Sequence, residues 1–160
     1  MGDPTENGGS GTGQPGQSGG INTGGVSFGM YANSGQTADA RRPLGGDLGV
    51  GQTFTFQIDN GYLNNPGSDG ISLLAGANAR FEFYFNGGDA NYTINDASGA
   101  HSSGIGYTDG GRTRLVTPTS VATYILNVAP VGGSTSTFTG SMLGARSLAQ
   151  SDTFRALGYN

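Results

Sequence analysis

The sequence predicts an all-β fold, a two-sheet antiparallel β-sandwich of jelly-roll type, and three observations predict it. Short runs alternate apolar with polar residues, turn residues recur roughly every 8–12 positions, and no stretch of about ten residues carries a helical period. The clearest strand is Gln52–Asp59, where Phe54, Phe56 and Ile58 point one way and Thr53, Thr55 and Gln57 the other. Arg80–Asn86 repeats the pattern, with Phe81, Phe83 and Phe85 set against Arg80, Glu82 and Tyr84. Period-two spacing puts each set on one face of a pleated strand, whereas a helix would scatter the phenylalanines around its circumference. Weaker strands are Val26–Ala32, Gly70–Ala75, Asn91–Asn95, Arg112–Thr117, Ala122–Ala129, Ser134–Gly140 and Thr153–Leu157. Asn86-Gly87-Gly88-Asp89, Asp96-Ala97-Ser98-Gly99, Thr108-Asp109-Gly110-Gly111 and Gly132-Gly133 supply the turns between them. Leu143–Gln150 has room for one helical turn at most.

Composition narrows the classes. Glycine accounts for 32 of 160 residues, roughly three times its usual ~7% share, and without a G-X-Y repeat it means turns and linker rather than collagen. Residues 1–25 have no apolar side chain between Met1 and Ile21 and read as a flexible Gly/Ser/Gln/Pro-rich arm, leaving 26–160 as the β-sandwich domain. Charged residues are 11% of the chain, against about 25% on average. All seven basic residues are arginine, and they cluster only at Arg41-Arg42. A nucleic-acid footprint is therefore missing. Without cysteine there is no thiol catalysis, disulfide or Cys-ligated zinc. No apolar run approaches the ~20 residues of a membrane span. Met1-Gly2-Asp3-Pro4 lacks the basic and apolar regions of a signal peptide, so export would require that a signal has been removed.

Several segments resemble a recurrent bacterial extracellular domain with a concanavalin-like jelly-roll fold. They are Gly29-Met30-Tyr31-Ala32-Asn33-Ser34-Gly35, Val50-Gly51-Gln52-Thr53-Phe54, Asp59-Asn60-Gly61, and Phe81-Glu82-Phe83-Tyr84-Phe85 followed by Gly87-Gly88. Tyr92-Thr93-Ile94-Asn95-Asp96 and Gly104-Ile105-Gly106-Tyr107-Thr108 continue the likeness, which spans roughly residues 21–130. The resemblance implies a secreted or bacterial cell-surface location, and carbohydrate binding by association with neighbouring modules. Such domains carry a further strand after Phe154–Asn160, whereas this chain stops at Asn160. The expectation is an open sheet edge there, or another segment filling the place. An open edge invites strand addition from a neighbouring copy.

Candidate sites are few. Glycoside hydrolysis needs two carboxyl groups ~5–9 Å apart, and the only glutamates are Glu6, in the arm, and Glu82, for which Asp59 is the available partner. Glu82 alternates with core phenylalanines, as a solvated sheet face explains. His101, the sole histidine, falls in the predicted loop Ala100–Ser103, with no nucleophile elbow nearby. Calcium is the metal that suits an oxygen-rich, cysteine-free chain, as a structural ion, and the loop 59–69 offers Asp59, Asn64 and Asp69 without EF-hand spacing. The same residues also populate ordinary turns. Sugar sites stack an aromatic face on a pyranose and fix its hydroxyls with Asn, Asp, Glu and Arg. With no tryptophan available, the candidates are Tyr62, Arg80, Glu82, Tyr84 and Asn86. Thr135, Thr137 and Thr139 alternate as an ice-binding row would, and as half-buried strands commonly do.

The expected function is a non-catalytic extracellular recognition or adhesion module without an obligatory cofactor. Its expected partner is polysaccharide or cell-surface glycan, not nucleic acid and not a membrane. The alternatives are a self-assembling subunit of a surface layer or filament, and a glycoside hydrolase.

Overall fold

The computed structural model describes residues 30, 32–33, 35–59, 63–107, 112–130, 133–144 and 151–159. The arm 1–25 and most of the predicted strand Val26–Ala32 lie outside the described residues. The described residues contain strands and no helix. In chain order these are β1 (Thr37–Pro43), β2 (Phe54–Ile58), β3 (Ser68–Ala75), β4 (Asn78–Asn86), β5 (Asn91–Asp96), β6 (Gly99–Gly106), β7 (Arg112–Pro118), β8 (Thr123–Pro130), β9 (Ser136–Ser141) and β10 (Thr153–Tyr159).

They form two antiparallel sheets, one in the order β1-β10-β3-β4-β5-β6 and one in the order β2-β7-β8-β9. This is the all-β two-sheet sandwich that the alternation predicts. The runs β3 to β6 and β7 to β9 are hairpin-connected, and the turns at Asn86–Asp89 and Asp96–Gly99 lie where the sequence put them. Between the sheets lie Phe81, Phe83, Phe85, Ile71, Leu73, Tyr92 and Ile94 from the larger sheet, against Val116, Tyr124, Leu126 and Val128 from the smaller. Phe83 stacks on Tyr92 at 5.1 Å, and Phe81 meets Tyr124 edge-on at 4.8 Å. Such pairs add about 0.5–1.5 kcal/mol beyond area burial. Arg114, 0% exposed, brings its guanidinium carbon to 4.9 Å from the Phe83 ring centre and 5.2 Å from that of Tyr92. This buried cation lies against aromatic faces in the core.

Two strands, β1 and β6, depart from the sequence reading. β1 carries only alanines as its apolar residues, so no pattern announced it. It forms because β10 supplies a seven-residue ladder, reinforced where Asp39 accepts from both Arg41 and Arg155, at 3.1 and 3.0 Å. β6 was expected as a loop around His101. It is an outer strand on β5, mostly exposed, with a register irregularity opposite Asn91–Thr93. Beside Thr153–Tyr159 the sequence leaves two outcomes, an open edge or another segment filling the place. β1 fills it: β10 lies inside the larger sheet, paired with β1 on one side and β3 on the other.

A candidate binding face on the larger sheet

Alternation and register together build the outward face of the six-stranded sheet. On β4, Phe81, Phe83 and Phe85 enter the core, so Glu82, Tyr84 and Asn86 face out, half-buried. Directly opposed residues of an antiparallel pair share a face. On that rule Ser72 pairs with Glu82, Gly70 with Tyr84 and Ser68 with Asn86 across β3–β4. Across β10–β3 the matching partners are Arg155, Leu157 and Tyr159. The centre strand therefore presents only serine and glycine outwards, while both neighbours present large side chains. The result is a trough floored by β3 and walled by β4 and β10. Its centre is a concavity of about 200 Å³ whose lining includes Ser68, Gly70, Ser72, Glu82, Tyr84 and Leu157.

Gly70 keeps the floor bare. A β-carbon there would sit 2.4 Å from Tyr84 Cβ and 2.5 Å from the Phe83 carbonyl oxygen. Polar groups on the face are pre-arranged. Ser72 Oγ donates to Glu82 Oε1 at 3.0 Å, and Asn95 Nδ2 donates to Glu82 Oε2 at 2.7 Å. Asn86 Nδ2 donates to Asp89 Oδ2 at 3.0 Å. Burial, then the nearby carboxylates of Glu82 and Asp89, push the Tyr84 hydroxyl above its ordinary pKa, so it stays a protonated donor at neutral pH. At the sheet's β1 side, the hydrogen bonds from Arg41 and Arg155 hold Asp39 below the usual carboxylate range despite some burial.

The structure thus brings together Glu82, Tyr84 and Asn86 and adds Arg155, Leu157 and Tyr159, which the sequence reading missed. Only the placement of β10 beside β3 reveals those three. Tyr62 lies outside the described residues. Arg80 needs correction, because it does not share the outward face. It is 2% exposed and donates to the carbonyls of Leu143, Gly144 and Val121. The cause is a register shift: Leu73 pairs with Phe81 but Leu74 with Ala79, which leaves Arg80 as the extra residue of a bulge. A bulge re-aims its side chain. The pairing of Glu82 with Asp59 as an acid–base couple is also not brought together. Asp59 follows β2 in the other sheet, while Glu82 faces away from that sheet, and stacked sheets lie about 10 Å apart.

Of the calcium candidates, Asn64 is exposed, while Asp59 and Asp69 are half-buried; by its register opposite Phe85, Asp69 belongs to the inward row. Among the described residues no group of three or more His, Asp or Glu side chains could hold a metal ion. His101 Nδ1 lies 2.9 Å from the Gly99 carbonyl and 3.4 Å from Ser98 Oγ. Ser98 in turn donates to Asp96 Oδ1 at 2.6 Å. The serine is thus directed at the carboxylate, opposite to the order a nucleophilic triad requires. Thr137 and Thr139 are exposed on β9, with Thr137 Oγ1 donating to Asn127 Oδ1 at 2.7 Å.

No family model matches the chain, and no curated protein matches it. Among solved structures, a likeness is found to SCP-B, a member of the eqolisin family of peptidases, in a complex with the tripeptide Ala-Ile-His. It has a TM-score of 0.49 and 14% identity, and covers 79% of this chain and 64% of that one. The chain therefore spans less than two thirds of the length of the solved protein, and at this level of likeness nothing about activity carries over.

Proposed function

We propose that the chain is a non-catalytic extracellular recognition module, of the bacterial surface, that binds glycan on the outward face of its six-stranded sheet. The observation that carries this reading is the trough itself. A half-buried Tyr84 stands beside a glycine floor, within a row of fixed acceptors and donors formed by Glu82, Ser72 and Asn95. An aromatic wall suits the apolar face of a pyranose, and the pre-ordered polar groups suit its hydroxyls without further loss of side-chain freedom. The low charge, the absence of cysteine and the resemblance to concanavalin-like surface domains support an extracellular setting.

The test is retention on a broad glycan array and on affinity gels. Wild-type protein should be retained by at least one neutral glycan. Tyr84→Ala, with an unchanged circular dichroism spectrum, should weaken binding by about 2 kcal/mol, on the order of thirtyfold in Kd. Folded protein that ignores the whole panel would overturn the reading.

A further inference from the structure

We propose that the trough takes a linear, uncharged polysaccharide whose successive rings are turned over by half a turn, as in a β-1,4-linked chain, lying along β3 between Tyr84 on one wall and Tyr159 on the other. The proposal rests on reading this face as a glycan site and names the polymer class. Tyr159 faces out because its neighbour Gly158 pairs with Asp69, which in turn lies opposite buried Phe85. At 40% exposed it is among the most exposed large hydrophobic side chains described.

The two tyrosines stand on opposite walls, because β3 separates β4 from β10. Two strand spacings put those walls about 10 Å apart, and one step between outward residues offsets the tyrosines by about 7 Å along the trough. That offset lies between one ring and two along an extended polymer, within reach of neighbouring rings for side chains that lean along the trough. A chain whose rings alternate by half a turn is an extended ribbon with axial C–H faces on both of its sides. Such a chain can lay one ring against Tyr84 and the next against Tyr159. A helical chain curves out of a straight trough and would reach only one of them. Ser68, Gly70 and Ser72 leave the floor low enough for the chain to lie in it, and no larger side chain fits at Gly70.

Charge selects against acidic polymers. On the outward face Arg41 and Arg155 are balanced by Asp39 and Glu82, and Asp39 already holds both arginines. Asp89, close enough to act on the Tyr84 hydroxyl, adds an uncompensated negative charge near the trough. The named charges of this face thus carry one negative charge in excess, which disfavours uronate and sulfate groups.

The experiment presents the intact chain with neutral β-1,4-linked oligosaccharides (cello-, manno- and xylo-series), α-1,4-linked malto-oligosaccharides, and acidic polygalacturonate, by affinity gel and titration calorimetry. The expected result is binding to a β-1,4 series that strengthens from dimer to trimer. Tyr84→Ala and Tyr159→Ala should each weaken it at least tenfold while both variants keep the wild-type circular dichroism spectrum. Preference for the α-linked or acidic polymer, still lost in Tyr84→Ala, would overturn this inference and leave the glycan reading standing. Unchanged β-1,4 binding by folded Tyr159→Ala would do the same. Loss of fold in Tyr159→Ala is covered by Tyr159→Phe and Tyr159→Ser, of which the aromatic variant alone should retain binding; equal binding by both would count against the wall. Retention of no glycan at all would remove both the inference and the reading beneath it.

Discussion

Arg80 shows how far one side chain can depart from the pattern that contains it. Period-two spacing assigns it to solvent with Glu82 and Tyr84, but the bulge opposite Leu73 and Leu74 turns it inward, so that Arg80 and Phe81 are buried in succession. Its guanidinium then donates to three backbone carbonyls, tying β4 to the loop after β7 and to the segment after β9. Hydrogen bonds from a charged donor are worth about 1.5–3 kcal/mol each, and a buried carbonyl left without a donor costs about 1–3 kcal/mol. Arg80→Ala should therefore lower stability by about 3 kcal/mol in urea unfolding, while glycan retention, measured where the variant is folded, stays as in wild type. Arg80→Lys should rescue little, because one ammonium cannot reproduce a planar fork of donors. Loss of retention without loss of stability would return Arg80 to the binding face.

At the scale of strands, β3 is the element on which the candidate site depends, and Gly70 is its most constrained position. Any β-carbon there lands 2.5 Å from backbone atoms of β4, so the neighbouring strand, not a flexible side chain, would have to move. Gly70→Ala should cost about 1–3 kcal/mol, the usual penalty for forced overpacking. Hydrogen exchange should quicken at amides of the β3–β4 ladder more than in β7–β8, and uniform quickening would argue against a local clash. The legibility of each strand follows from what stabilises it. β2 and β4 were readable because their phenylalanines supply core contacts, and those contacts impose the alternation. β1 and β6 were not, since their strand form comes from backbone ladders with β10 and β5, and a ladder leaves no mark on side-chain type. The site shared that split. Its β4 wall was visible in Glu82, Tyr84 and Asn86, while the β10 wall depends on a pairing between positions more than seventy residues apart. No local pattern encodes such a pairing.

At the scale of the whole molecule, the two layers are joined by a buried hydrogen bond. Tyr124 on β8 donates its hydroxyl to Asp96 Oδ2 on β5 at 2.7 Å, with Asp96 3% and Tyr124 1% exposed. The bond passes over Gly140, where a β-carbon would lie 2.3 Å from Asp96 Oδ2 and 2.6 Å from the tyrosine oxygen. Burial by itself would raise the Asp96 carboxyl, but donation from the Ser98 side chain, the Tyr124 hydroxyl and the Ser98 backbone outweighs it and holds the pKa below the ordinary value. Burial first, then the bond to Asp96, pushes the Tyr124 hydroxyl far upward, so it remains a donor throughout the neutral range. A carboxyl whose pKa is lowered by folding stabilises the native state above its unfolded pKa, and that contribution is lost as pH falls through the folded pKa. Tyr124→Phe should therefore cost about 1.5–3 kcal/mol at pH 7, the range for a hydrogen bond to a charged group. The difference from wild type should narrow once acid begins to protonate Asp96, below the usual carboxylate range, and the variant should unfold at a higher pH on acid titration. Urea unfolding of both proteins at neutral pH and in strong acid measures this directly. A deficit that persists undiminished in acid would mean that the Tyr124 hydroxyl stabilises the fold whatever the charge on Asp96, and that the carboxylate does not couple the two layers.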